Sequence, residues 1–122
     1  MDSQSGKTVY IVDGDESVRR AMKRLIHLTG MNVRSFHSLN EFLGAGCSCE
    51  NACMVADVKV FEHGLGLPAK MADSGCQIPV IFVTAYDNKA DREKAKEMGA
   101  VAYFLKPVDD QALLDAIEWA TH

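Results

Sequence analysis

Five short apolar runs constrain the fold most: "TVYIV" (8–12), "VRSF" (33–36), "CMVA" (53–56), "PVIFVT" (79–84) and "VAYFL" (101–105). All but "VRSF" are nearly continuous rather than alternating. A strand with one wet face alternates. A continuous run is the mark of a strand buried on both faces, as in a parallel sheet covered by helices. Helical patterns lie between the runs. Asp15 can N-cap a helix from Glu16 to Thr29, with Val18, Met22, Leu25 and Thr29 at helical spacing and Gly30 as its stop. Ser38 and Glu41 form a capping box ahead of Leu39, Phe42 and Leu43. "LPAKMAD" (67–73) is a weaker helix. Residues Asn88 to Met98 are highly charged, with Lys89 and Glu93 at i, i+4 and Gly99 as terminator. The apolar side of that segment is thin, mainly Ala95 and Met98, so it is expected to be loosely held. Asp109 or Asp110 caps the last helix, striped by Leu113, Ala116, Ile117 and Ala120.

The order is β-α five times with short connections. It predicts one open, doubly wound α/β domain with right-handed crossovers. Residues 1–6 read as a flexible tail and 7–122 as the domain.

A chain of 122 residues suffices for one modest core. Its net charge of −4 gives no support for free-standing nucleic-acid binding. No apolar stretch approaches the roughly 20 residues that span a bilayer. The opening "MDSQSGK" has no signal-peptide apolar region, so a cytoplasmic location is expected. Arg19, Arg20, Lys23 and Arg24 cluster on the first helix, as a solvated face or as a dock for an acidic partner. Cys47, Cys49, Cys53 and Cys76 lack zinc-site spacing, even with His63 as a fourth ligand, and are expected as free thiols.

In open parallel sheets, sites form outside the carboxyl ends of the strands. The first run ends at Asp13, the third at Asp57, the fourth at Thr84 and the fifth at Lys106-Pro107. A strand-end carboxylate can be a nucleophile toward a phosphoryl group. A second carboxylate helps to hold Mg2+, which prefers oxygen ligands. A lysine offers a point charge to phosphate oxygens, and a threonine hydroxyl can donate to one more. Singly, Asp13 could be a cap and Lys106 a solvated lysine. Four such strand ends together point to a shared phosphoryl or metal site.

"VYIVDGDESVRRAMKRLI", "MVADV", "PVIFVTAY" and "AVAYFLKPVD" resemble the receiver domain of two-component response regulators, nearest to the FixJ-like group, whose full-length members carry a helix-turn-helix output domain. The resemblance implies a flavodoxin-like (CheY-like) fold. It implies phosphoryl transfer from a histidine kinase to Asp57, without enzymatic turnover on a metabolite. It gives Lys106 a phosphoryl contact and makes Thr84 and Tyr103 a switch pair, with Tyr103 swinging inward. It also implies a cis Lys106-Pro107 bond, kinase docking on the first helix, and a dimer or output surface on the fourth helix, fifth strand and fifth helix. Nucleic acid is reached only through a separate output domain.

Two departures touch the metal site. The family usually has two adjacent acidic residues after the first strand, but Gly14 follows Asp13, and Asp15 lies one residue further, where it suits a helix cap. The expected ligands are therefore Asp13, Asp57 and the Lys59 carbonyl, with weak Mg2+ affinity. After Asp57, Phe61 and Leu65 stand where the family often has proline and glycine, with Gly64 and Gly66 beside them. The Lys59 ammonium either reaches the weakened cation site or faces solvent, and Lys59 and Tyr86 flank it. Two alternatives stand beside the receiver reading. One is a phosphorylation-impaired receiver that binds partners without phosphate. The other is a small phosphotransfer enzyme with an aspartyl intermediate.

Overall fold

The computed structural model describes residues 6–61 and 77–121. Residues 1–5 of the proposed tail, the segment "LPAKMAD", His63, Leu65, Cys76 and the glycines at 64 and 66 lie outside the described residues. Five parallel strands, β1 (Thr8–Val12), β2 (Asn32–Phe36), β3 (Ala52–Asp57), β4 (Val80–Thr84) and β5 (Ala102–Leu105), form one sheet in the order β2-β1-β3-β4-β5. This is the order of the flavodoxin-like fold that the resemblance implies.

The continuous apolar runs have a simple cause. Side chains alternate across a strand. On β1, Val9 and Ile11 join a buried cluster with Met22, Ile26, Leu113 and Ile117. Tyr10 and Val12 point the other way and meet Phe36, Phe42, Met54 and Phe82. Both faces are covered, so both parities must be apolar. β2 is an edge strand, and its alternating exposure explains why "VRSF" carries arginine and serine.

Helix α1 (Glu16–His27) starts where the Asp15 carboxylate accepts the Ser17 and Val18 amides. It ends two residues before the predicted Thr29. The Thr29 hydroxyl turns back onto the Ile26 carbonyl at 2.6 Å, and the chain tightens before Gly30, at φ +87°. Helix α2 (Leu39–Gly44) carries the Ser38 cap, and Glu41 accepts from the His37 amide at 2.7 Å.

A 3-10 turn (Val58–Phe61) follows β3. Helix α3 (Lys89–Glu97) has an Asn88 cap and buries only Ala95. Gly99, at φ +76°, closes it. The Gly99 amide reaches the Lys96 carbonyl and the Ala100 amide the Ala95 carbonyl, the paired bonds of a Schellman end. Among the described residues Arg92 pairs with Asp87, and no Lys89–Glu93 ion pair is formed. Helix α4 (Asp110–Ala120) is capped by Asp109, which accepts the Ala112 amide at 2.9 Å.

Among the described residues no helix is long and apolar enough to cross a membrane. Free thiols are found at Cys47 and Cys53, but Cys49 is disulfide-bonded, which corrects the expectation of free thiols throughout. Cys49 has joined another thiol, a matter of proximity in space that ligand spacing along the chain does not address. Burial in the core pushes the Cys53 thiol up to about 12.

Candidate phosphoacceptor site

Parallel register sets the site. Val12 of β1 lies beside Ala56 of β3, so the next residues, Asp13 and Asp57, leave the sheet at neighbouring points of one rim. Thr84 ends β4 beside Leu105 of β5, which places Lys106 one step beyond. The Lys106 amide donates to the Thr84 carbonyl at 2.7 Å and holds the last strand end to the fourth.

The ammonium of Lys106 bridges the two carboxylates, 2.8 Å from Asp13 Oδ2 and 2.7 Å from Asp57 Oδ2. Asp13 is 2% exposed. Its other oxygen accepts the Asp15 amide at 2.9 Å, and the other oxygen of Asp57 accepts the Lys59 amide at 2.9 Å. Buried charges persist where they are paired and hydrogen-bonded, and each member here is both. Burial opposes the Lys106 charge, but the hydrogen bonds and charges of Asp13 and Asp57 outweigh it and hold the lysine above its ordinary pKa.

Thr84 is 1% exposed. Its hydroxyl donates to the Tyr86 carbonyl at 3.3 Å. The Lys106-Pro107 bond is cis, as expected. Tyr103 is half-buried, and its hydroxyl is shielded from water. Burial, then the charges of Asp91 and Asp87, push its pKa up. The ring packs against the apolar cluster that α3 covers.

Asp15 does not replace the missing carboxylate. Its side chain is spent on the α1 amides, so among the described residues the pocket has the Asp13 and Asp57 carboxylates. A Cβ built at Gly14 meets nothing within 4 Å, so the place of the absent side chain is open space. Among the described residues no cluster of three or more His, Cys, Asp or Glu side chains could hold a metal. Two carboxylates with room for water still fit Mg2+, which commonly binds through one or two carboxylates and keeps several waters. The Lys59 ammonium does not enter the vacated space. It stands 5.3 Å from the centre of the Tyr86 ring, and both side chains are exposed.

The model of the response regulator receiver domain matches residues 9–118. The chain is a response regulator receiver domain. The transcriptional regulatory protein TdiR of Thauera aromatica is 35% identical to this receiver domain over 117 residues, 95% of this chain and 52% of that protein. FixJ of Rhizobium meliloti is 30% identical over 115 residues, 93% of this chain and 56% of that protein. The receiver therefore spans about half the length of the curated relatives it matches. A Burkholderia pseudomallei response regulator crystallised with a phosphorylated aspartic acid, calcium ion and citrate is similar at TM-score 0.75 and 25% identity, over 91% of this chain and 66% of that one.

The predicted Asp13, Asp57 and Lys106 meet directly, and Thr84 is tied to the same rim through the Lys106 amide. Sequence reasoning did not find the Lys59–Tyr86 contact, nor a bond from Arg19 Nη1 to the Asp13 carbonyl, 2.6 Å. Both arise from loop and helix orientation, which residue spacing leaves unspecified.

Proposed function

We propose that this receiver accepts a phosphoryl group on Asp57 from the phosphohistidine of a histidine kinase and changes a partner or dimer surface in response. The observation that carries the reading is the Lys106 ammonium held between Asp57 and Asp13. It places a cation beside the carboxylate that becomes an acyl phosphate. The phosphorylated aspartic acid of the Burkholderia pseudomallei protein supports the same chemistry at this fold.

The Asp57 oxygen attacks phosphorus in line, and the bond from phosphorus to the donor nitrogen breaks. Lys106 stays with the phosphoryl oxygens. The Thr84 hydroxyl leaves the Tyr86 carbonyl for another of those oxygens, and β4 and α3 follow. α3 buries a single side chain, which suits an element that must shift at low cost. When bound, Mg2+ offsets charge on the phosphoryl group. Asp13, Asp57 and the Lys59 carbonyl would hold it, weakly, because Gly14 removes one anionic ligand. The domain at most catalyses its own phosphorylation and dephosphorylation.

The output surface is α3, β5 and α4, where Val101 and Leu105 are 40% and 47% exposed. The kinase docks on α1. An open groove of about 430 Å³ between α1 and α4, lined by Val18, Met22, Leu25, Pro107, Val108 and Leu113, leads to Lys106. A cytoplasmic location follows from that partner. No observation favours the phosphate-independent binding module over this reading.

The test is intact-mass measurement after incubation with a small phosphodonor across millimolar Mg2+ or Mn2+. One phosphoryl group should add to wild type and none to Asp57→Ala. Equal labelling of both proteins would overturn the assignment.

A further inference from the structure

Arg19 differs from the other basic residues of α1. Arg20 is exposed and paired with Glu16 at 2.6 Å. Arg19 is half-buried, and its Nη1 donates to the main-chain carbonyl of Asp13 at 2.6 Å. No carboxylate among the described residues forms an ion pair with it. That carbonyl belongs to the peptide unit that joins Asp13 to Gly14. The guanidinium is thus anchored one peptide from the place where a second acidic side chain is missing, and that place is open. Asp13 and Asp57 contribute two negative charges to this rim, and Lys106 is the cation that bridges them. Arg19 brings a second positive charge to the Asp13 main chain.

We propose that Arg19 is a positioning residue for the phosphoryl donor, and that its charge takes over part of the work a divalent cation does at an acidic pocket. This rests on the reading of Asp57 as phosphoacceptor. A guanidinium has five donors in a planar fork that matches phosphate oxygens. One donor serves the Asp13 carbonyl and the others are left for the incoming anion. Its charge, close to Asp13, also repels a divalent cation. The pocket therefore favours the anionic donor and relaxes its demand for the metal. With phosphoramidate as donor, an Asp57 oxygen forms the new bond to phosphorus, the phosphorus–nitrogen bond breaks, and ammonia leaves after taking a proton from solvent.

The test compares wild type, Arg19→Ala, Arg19→Gln and Arg19→Lys. Phosphorylation rates are measured against phosphoramidate concentration, in EDTA and in millimolar Mg2+, and Mg2+ binding is measured separately by calorimetry. Wild type should be phosphorylated in EDTA. Arg19→Ala and Arg19→Gln should raise the half-saturating donor concentration in EDTA about tenfold and bind Mg2+ several-fold more tightly. Glutamine can still donate to the Asp13 carbonyl, so a merely structural role would leave Arg19→Gln like wild type. Arg19→Lys should keep the wild-type Mg2+ affinity, since it keeps the charge. Equal Mg2+ affinity and equal donor saturation in wild type and Arg19→Gln would overturn the inference, as would strict dependence of wild type on Mg2+. If Asp57-dependent labelling fails in Mg2+ for every protein, the phosphoacceptor reading itself fails.

Discussion

The weak Mg2+ binding proposed for this site rests on Gly14. The added Cβ finds open space and no left-handed backbone is required, so Gly14→Asp should fold as wild type. It should bind Mg2+ about tenfold more tightly, about 1.4 kcal/mol, by titration calorimetry. Unchanged affinity would place Gly14 away from the cation. Lys106 carries the opposite lesson. Lys106→Met leaves the buried Asp13 carboxylate without its cation and should cost about 2 kcal/mol in urea unfolding at pH 7. Asp13, Asp57, Thr84 and Lys106 were legible in the sequence because each closes an apolar run, and a parallel sheet brings run ends to one rim. The Tyr103 hydroxyl was not. Alternation says which side of the sheet a strand residue takes but not its rotamer.

At the scale of elements, caps were the readable part. Asp15, Ser38 and Asp109 each accept the first free amides of a helix, as expected, whereas Asn88, read as part of its helix, proves to be the cap. Asp15→Ala should cost about 1 kcal/mol of stability in urea unfolding, because it removes the α1 cap. Gly99→Ala should cost about 1–2 kcal/mol by thermal or urea unfolding, since a Cβ opposes its φ of +76°. Helix ends were less readable. α1 closes early through a side-chain hydroxyl bond at Thr29, a local competitor that apolar periodicity does not register. The Arg92–Asp87 pair forms in place of Lys89–Glu93 for a similar reason: a residue before the helix lies within reach, and i, i+4 counting considers only the helix itself.

For the whole molecule, the doubly covered sheet sets the response to alkali. Cys53 sits in the core, and burial raises it from 9.0 to about 12. Tyr10 and Tyr103 are raised above 10.0 chiefly by burial, and Lys106 is raised above 10.5 by its two carboxylates, against its burial. A group with a raised folded pKa binds its proton more tightly when folded. Its contribution is complete below the unfolded value and fades as pH rises through the folded one. All four act in the same direction, so unfolding free energy should fall steadily from pH 9 toward pH 12. Cys53→Ala should flatten the early part of that decline in urea titrations at pH 7 and 10.5. The central claim concerns one carboxylate among several on one rim, and the most direct measurement locates the acyl phosphate. Borohydride reduction of the phosphorylated protein followed by peptide mass mapping should find homoserine at position 57 and intact aspartate at 13 and 15. Homoserine at 13 or 15, or none at 57 in protein that carries the added phosphoryl mass, would contradict the account.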